Sequence, residues 1–248
     1  MNLAPRCLSV DWPAPAGVRA AFSTRCGGLG QAPFASLNLG THVGDDPLTV
    51  AANRAALRAE LQLVAEPCWL DQIHSDILID LDHANAQREG DAAITATPGR
   101  VATVMVADCL PVLLCDRYGR QVAAVHAGWR GLASELIKKT VAAFHAAPQE
   151  LIAWLGPAIG PSAYGVGDSL RERFCALDSR LAEAFTQHST QWHMNLARVA
   201  ELQLAALGVI NVTHSGICVH SDAENFFSYR RDGETGRMAA MVWLEGGA

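Results

Sequence analysis

The chain has 248 residues, of which 50% are hydrophobic and 18% are charged, and its formal net charge is −6. This composition excludes an intrinsically disordered chain and is typical of one large globular domain or two small ones. The acidic balance argues against broad, nonspecific nucleic-acid binding, yet it is compatible with a local basic pocket for one small anion.

Signals for membranes and export are missing from the sequence. No apolar run reaches the roughly 18 residues that cross a bilayer, and no basic segment followed by a long apolar stretch opens the chain. We therefore expect a cytoplasmic protein without a membrane partner. The seven cysteines form no CxxC pair, so we expect mostly free thiols.

The first half of the chain predicts one helix among several strands. "FSTRCGG" is interpreted as a strand that runs into a glycine-rich turn. The first helix begins in "DDPLTVAANRAALRAELQL", where Asp46 can cap it and Pro47 sits where a missing N–H does no harm. Short apolar runs bounded by Gly, Pro or Asp predict the next strands: "CWLDQIHSDILIDL", "GDAAIT", "RVATVMVAD", "PVLLCD" and "QVAAVHAG".

The second half predicts more helix. "GLASELIKKTVAAFHA" has a helical apolar stripe, "LIAWLGPAIG" a buried strand, and helices are expected near 168–186 and 195–207, the latter stopped by Gly208. "GVINVTHSGICV", "NFFSYRRDG" and "RMAAMVWL" predict closing strands. We expect a single α/β domain over residues 1–248, with a mixed central β-sheet flanked by helices.

Three residues near predicted strand ends are candidate metal ligands. They are His74 in "DQIHSD", Cys109 in "ADCLP" and His126 in "VHAGWRG". Two imidazoles and a thiolate suit zinc, and three protein ligands leave a position open for water. The spacing matches no compact metal motif. From the residues alone, Cys109 also fits a buried strand cysteine, His126 a histidine satisfied by backbone before a helix, and His74 a surface turn residue.

Other polar residues predict a site for an anion or a sugar. Arg25 adjoins a glycine-rich turn, Asn38 lies in the loop "SLNLGTHVGDD", and Arg130 opens a predicted helix where phosphate is favoured. A solvated surface charge is the alternative for each arginine. The remaining seven histidines are interpreted as surface or packing residues, and nucleotide-cradling glycine motifs are absent.

Eight motifs in order together resemble one family, the laccase-domain (YfiH-type) family, also called purine nucleoside phosphorylase or peptidoglycan editing factor. The resemblance covers about residues 18 to 244 and is carried by "FSTRCGG", "SLNLGTHVGDD", "DQIHSD", "GDAAIT", "ADCLPVLL", "HAGWRGL", "LGPAIGPSAYGVG" and "FFSYRRDGETGRMAAMVWL". One position departs from it, since Gly165 replaces the acidic residue of the usual "YEVG".

The resemblance implies a layered α/β domain with zinc at His74, Cys109 and His126. It implies phosphorolysis of adenosine, inosine, guanosine and methylthioadenosine, deamination of adenosine, and a second role in editing peptidoglycan precursors. The label "laccase" fits the sequence poorly, because its nine histidines form no His-x-His pair. We expect zinc, with a single copper ion as the alternative.

In the expected mechanism, zinc activates water for attack on adenine with Asp108 as proton carrier, while Arg25 and Arg130 hold phosphate against the ribose. The expected partners are a nucleoside and phosphate, without nucleic acid, and the oligomeric state is not indicated. Two alternatives stay open: a metal-free cysteine hydrolase with a Cys109/His126 dyad, and a noncatalytic binder of muropeptide precursors. A dyad does not require His74, whereas a zinc site does.

Overall fold

The computed structural model describes residues 7–83 and 87–246. Its helices are α1 (Pro47–Glu60), α2 (Trp129–Ala133), α3 (Leu136–Ala142), α4 (Asp168–Leu177), α5 (Leu196–Leu207) and α6 (Tyr229–Asp232). Its strands are β1 (Cys7–Ser9), β2 (Val18–Ser23), β3 (Leu78–Asp80), β4 (Ala92–Thr95), β5 (Val101–Val106), β6 (Leu110–Asp116), β7 (Val122–Ala127), β8 (Leu151–Leu155), β9 (Gly165–Val166), β10 (Phe185–His188), β11 (Gln191–Met194), β12 (Asn211–His214) and β13 (Met238–Leu244).

Two stacked β-sheets form the centre of the molecule. One has six strands in the order β12-β8-β6-β7-β4-β3, and the other has four in the order β1-β2-β13-β5. The larger sheet is mixed, because β12 pairs with β8 and β3 with β4 in parallel while its other pairs are antiparallel. A small third sheet joins β10, β11 and β9.

Strand β6 shows why its sequence is apolar without interruption. Val112 and Leu114 face the helices, whereas Leu113 and Cys115 face the four-stranded sheet. Successive side chains of a strand point to opposite faces, so a strand covered on both sides needs apolar residues throughout. The stacked sheets therefore give the site a rigid, fully buried floor.

Helices cover the two outer faces of this pair of sheets. On the six-stranded sheet, α2, α3 and α5 bury residues such as Leu136 and Leu204. On the four-stranded sheet, Leu57 of α1 packs with Ala21 and Met241. The resulting order of layers confirms the predicted single α/β domain with a mixed sheet flanked by helices.

Helix boundaries that depend on local chemistry agree with the sequence prediction. The Asp46 carboxylate accepts a hydrogen bond from the Thr49 N–H and caps α1, with Pro47 in the first turn. Helix α5 ends at Gly208, whose φ of 94° lies in the left-handed region that favours glycine.

Three parts of the secondary-structure prediction are wrong. The predicted helix after His126 is two helices, α2 and α3, separated at Glu135, whose φ is 61°. The predicted helix over 168–186 ends at Leu177 and is followed by a 3-10 turn and β10. "NFFSYRRDG" contains α6 instead of a strand, since the Ser228 hydroxyl caps the turn by accepting from the Arg231 N–H.

Among the described residues, we find no helix of the length and apolarity that a membrane crossing requires.

Packing between the two sheets should dominate stability. Phe22 is fully buried, with its ring 6.1 Å from that of Phe226 and 6.3 Å from that of Trp154. We expect Phe22→Ala to lower the free energy of unfolding by about 3–5 kcal/mol, because it removes a buried ring and leaves a cavity. Urea unfolding measures this, and Leu48→Ala is the control, since Leu48 is 80% exposed. Equal effects of the two substitutions would contradict the layered core.

Candidate metal centre

The three predicted ligand residues lie together in the folded chain. One ligand atom each from His74, Cys109 and His126 can be chosen such that all three lie within 4.8 Å of one another. The two imidazole rings meet edge to face, with their centroids 4.9 Å apart. Residues that are 52 positions apart at the extremes of this set are thus brought within reach of one ion.

The register of the β6–β7 pair explains how Cys109 reaches His126. Pro111 pairs with His126, and Leu110 pairs with Ala127, so Cys109, directly before β6, lies beside the end of β7. Gly128 follows β7, and a Cβ atom there would lie 2.9 Å from the Cys109 Sγ. The glycine of "HAGWRG" is therefore needed to make room for the thiol.

His74 comes from the loop before β3, and a buried carboxylate holds it. Its φ of 59° is a left-handed conformation that a residue with a side chain rarely adopts without support. The fully buried Asp91 supplies that support, because its oxygens accept hydrogen bonds from the backbone N–H groups of Ile73, His74 and Ser75.

The same carboxylate orients His126. The His126 Nδ1 lies 2.8 Å from an Asp91 Oδ1, and the Ser75 hydroxyl donates to the other oxygen. A ring whose Nδ1–H donates to Asp91 presents the lone pair of Nε2, the arrangement of metal-bound histidines supported by a carboxylate. Asp91 was not among the site residues predicted from the sequence, although "GDAAIT" places an acidic residue directly before a buried strand.

The electrostatics of the group favour a thiolate. Burial alone would raise the pKa of the Cys109 thiol, but the His126 charge and hydrogen bonds from both imidazoles lower it to about 6. Burial would lower the pKa of His126, but the Cys109 charge and the Asp91 hydrogen bond raise it to about 9. Against its own burial, hydrogen bonds from His126 and Ser75 lower the pKa of Asp91 to about 2.

This donor set fits a metal ion. A thiolate and two imidazoles, one of them oriented by a carboxylate, match the ligands of a zinc site with an open position, and they also match a single copper ion. Cys115, which lies six residues after Cys109 in β6, is fully buried between the sheets, and burial raises the pKa of its thiol to about 12. Cys109 is thus the thiol suited to bind metal.

The three residues open onto a cleft of about 510 Å³. Its wall combines apolar, aromatic and basic side chains, a composition that suits a flat ligand with an anionic part. The lining residues are His42, Gln72, His74, Met105, Val106, Ala107, Asp108, Cys109, His126, Trp129, Arg130, Ile159, Tyr164, Leu196, Tyr229, Arg230 and Arg237.

Two further residues selected from the sequence line this cleft. Asp108 directly precedes the cysteine, and its oxygens accept hydrogen bonds from the Ser228 hydroxyl and the Arg230 N–H, each at 2.6 Å. Arg130 lies in the first turn of α2, and its guanidinium stacks over the Trp129 ring, 4.6 Å from the ring centroid. The cleft therefore contains one predicted proton carrier and one predicted phosphate ligand.

Arg25 and Asn38, predicted to bind substrate, lie outside the cleft wall. The Arg25 guanidinium donates to the carbonyls of Ala35 and Ala223 and stacks on the Phe227 ring at 4.6 Å. The Asn38 side chain is fully buried, where its amide oxygen accepts from the Gly40 and Arg237 N–H groups. The polar groups of both residues hold backbone loops together.

Most residues of the cleft wall were not predicted from the sequence. His42 was interpreted as a surface or packing residue, yet it lines the cleft, as do Tyr164, Tyr229, Arg230 and Arg237. The last three belong to the motif "FFSYRRDGETGRMAAMVWL". Its tyrosine and adjacent arginines indicated a binding site, but the segment was predicted only as a strand.

Gly165, the departure from the family motif, lies beside the cleft wall in β9. A Cβ atom at this position would lie 2.6 Å from the Gln191 Nε2, so the Gln191 amide fills the space where another residue would place its side chain. The Gly165 carbonyl also accepts a hydrogen bond of 3.3 Å from Arg230.

Comparison with known proteins gives consistent relatives. Residues 19–245 match the family model described as multi-copper polyphenol oxidoreductase laccase. The chain is 47% identical to purine nucleoside phosphorylase YfiH of Escherichia coli over 235 residues, covering 94% of this chain and 97% of that protein. It is also 47% identical to purine nucleoside phosphorylase PA4543 of Pseudomonas aeruginosa over 240 residues, covering 96% and 98%.

Two solved structures share the fold over nearly their whole length. The Neisseria meningitidis protein NMB0706 superposes with a TM-score of 0.93 at 43% identity, covering 98% of this chain and 100% of that one. YlmD from Geobacillus stearothermophilus superposes with a TM-score of 0.90 at 31% identity, covering 98% and 97%.

The thiol of Cys109 should be required for metal binding. We expect purified protein to hold close to one zinc ion per chain and Cys109→Ala to lose most of it, because two imidazoles alone are a much weaker site. Elemental analysis of untagged protein measures the content. Cys115→Ala is the control, because it removes a thiol that faces the core, and loss of zinc in that variant alone would show that the wrong thiol was assigned.

Asp91 should act on metal affinity through the two histidines. We expect Asp91→Asn to weaken zinc binding by about 10–100-fold, because an amide cannot accept all the hydrogen bonds that the carboxylate accepts. Competition with a chelator measures the affinity, and circular dichroism checks the fold. The control is Asp71→Asn, which changes an exposed carboxylate in the same segment. Equal affinities in the two variants would remove Asp91 from the support of the site.

Proposed function

The chain belongs to the multi-copper polyphenol oxidoreductase laccase family, whose members include its YfiH-type relatives, and we propose that it is a zinc-dependent purine nucleoside phosphorylase. The proposed substrates are adenosine, inosine, guanosine and methylthioadenosine, with inorganic phosphate as the second substrate. The names of the relatives support the class of reaction, and the family resemblance supports the range of nucleosides.

One observation carries the proposal: the His74, Cys109 and His126 group opens onto a cleft that also presents aromatic rings and arginines. Its volume of about 510 Å³ lies in the range typical of small-molecule sites. Tyr164 and Tyr229 offer aromatic surfaces of the kind on which nucleobases stack. Guanidinium groups recognise phosphate oxygens, so both substrates have matching chemistry in one place.

Phosphorolysis exchanges one bond at the anomeric carbon for another. The glycosidic bond breaks with its electron pair going to the purine, which takes up a proton, and a phosphate oxygen bonds to the sugar. Arg130 would hold the phosphate against the sugar, which makes the attack effectively intramolecular. The stacked aromatic side chains would orient the purine.

His74, Cys109 and His126 would hold the metal ion. When bound, the ion would act as a Lewis acid and lower the pKa of water, chemistry that suits a deaminase as well as a phosphorylase. Asp91 keeps the His126 ring in one tautomer and the His74 loop in its left-handed turn. The contact of His74 with the other two residues favours this metal site over a Cys109/His126 dyad, which does not require His74.

We further propose that the cleft deaminates adenosine. Asp108 is the sole carboxylate among the described residues that line the cleft, which supports its role as the proton carrier. Hydrogen bonds from the Ser228 hydroxyl and the Arg230 N–H would hold it in place as it accepts and releases the proton.

Editing of peptidoglycan precursors is a second proposed role, supported by the resemblance and by cleft arginines that suit the phosphates of such precursors.

Product analysis tests these activities. Incubated with adenosine and phosphate, the zinc-loaded protein should release adenine and ribose 1-phosphate, and without phosphate it should form inosine slowly. His126→Ala should abolish both reactions because both use the metal cleft. The matched control is His83→Ala, since the His83 side chain is 83% exposed.

Chromatography with and without phosphate resolves the products. Failure of folded, zinc-loaded wild-type protein to turn over any purine nucleoside would overturn the phosphorylase proposal and favour the precursor-binding role. Full activity of His126→Ala would instead remove the metal cleft from the reaction.

A further inference from the structure

Three arginines converge on the cleft without an acidic partner. In residues 7–83 and 87–246, no carboxylate lies in ion-pair contact with Arg130, Arg230 or Arg237, although neighbouring Arg231 pairs with Asp232 at 2.7 Å. The chain as a whole carries a net charge of −6. The cleft therefore presents three guanidinium groups against one carboxylate, Asp108, on an acidic protein, and this local excess of basic groups favours an anionic ligand.

Tyr164 shows that these charges act on one region. Burial is the main cause that raises the pKa of its phenol to about 12. The charges of Cys109 and Asp108 raise this pKa further, and those of Arg230 and Arg130 lower it. The Arg230 guanidinium lies 5.0 Å from the Tyr164 ring. The basic side chains and the thiol thus surround the same volume.

The segment 226–237, which contains α6 and is called the α6 loop below, carries Arg230 and is fixed from the metal side of the cleft. Asp108 directly precedes the ligand Cys109, and its carboxylate accepts from the Arg230 N–H and the Ser228 hydroxyl. Its own φ of 101° shows a backbone held in an unusual conformation for a residue with a side chain. Asp108 thereby sets the distance between the Arg230 backbone and the metal ligands.

Arg237 is held from the other side of the same loop. Its Nη1 donates to the carbonyls of Thr235 and Gly236, and burial lowers the pKa of its guanidinium without removing its charge. Because two backbone carbonyls hold the Nη1 atom, the planar guanidinium has one orientation, and its Nε and Nη2 donors keep that orientation before a ligand binds. A guanidinium fixed in this way loses less side-chain entropy when it binds an oxyanion.

We infer that Arg230 and Arg237, together with Arg130, form a subsite that binds a phosphoryl group beside His74, Cys109 and His126. This inference rests on the proposed function and assigns the phosphate of that reaction to the α6 loop in place of Arg25. The phosphoryl group comes either from free inorganic phosphate or from a phosphorylated ligand, and both present the same oxygens to the guanidinium groups.

The test uses zinc-loaded, full-length protein and separates the two substrates. We expect Arg230→Gln to raise the KM for phosphate by about tenfold or more, because charge-assisted hydrogen bonds are lost, and to change the KM for adenosine by less than about twofold. Arg237→Lys is the second variant, which keeps the charge but removes the planar guanidinium. Zinc content and circular dichroism should match the wild type.

Arg117→Gln is the matched control. Arg117 is exposed, stacks near the Tyr118 ring at 5.7 Å and lies outside the cleft wall, so its variant should keep the wild-type KM values. Calorimetry with inorganic phosphate alone, and with adenosine 5′-diphosphate alone, identifies the source of the phosphoryl group. Binding of either probe that weakens about tenfold or more in Arg230→Gln, but not in Arg117→Gln, supports the subsite.

The outcomes separate this inference from the proposed function. If wild-type protein turns over adenosine and folded Arg230→Gln and Arg237→Lys keep the wild-type KM for phosphate, the subsite is wrong and the phosphorylase stands. If wild-type protein turns over no nucleoside yet binds a phosphoryl probe through Arg230, the subsite stands and the phosphorylase is wrong. Binding of both probes at equal strength in every variant would also overturn the subsite.

Discussion

Burial of the Asp91 carboxylate is the constraint on which the candidate metal centre depends. An ionised carboxylate removed from water is unfavourable by several kcal/mol unless hydrogen bonds and charge compensate it. Here the compensation comes from the His74 loop on one side and the His126 ring on the other. The groups that donate hydrogen bonds to Asp91 therefore carry two of the three ligands. The hydrogen bonds that stabilise the buried carboxylate also fix the positions of His74 and His126.

The stacked sheets supply the rigidity that this arrangement needs. Strands β6 and β7 are buried on both faces, and their antiparallel register fixes Cys109 beside His126. The opposite wall of the cleft comes from the α6 loop, which Asp108 ties to the same strand end across about 120 positions of sequence. Side chains held by fixed backbone at both walls are suited to position two substrates against each other.

The family description names several coppers, whereas the described site offers ligands for a single metal ion. Among the residues that the structure describes, His74, Cys109 and His126 are the one group of histidine, cysteine and acidic side chains arranged to hold a metal ion. A thiolate with two imidazoles suits one zinc ion or one copper ion, and these three residues do not supply the ligands of a copper cluster. The arginines around it fit a reaction in which an oxyanion participates, which agrees with the names of the curated relatives.

The sequence by itself determined the features that depend on neighbouring residues and on motif identity. The cap at Asp46, the stop at Gly208 and the apolar strands follow from local chemistry, and the motifs pointed to His74, Cys109 and His126. Only the tertiary structure decided which other side chains meet them. Asp91, Arg230 and Arg237 lie at the site, and Arg25 and Asn38 lie outside the lining of the cleft, because hydrogen bonds between distant segments place them and no local pattern records such contacts.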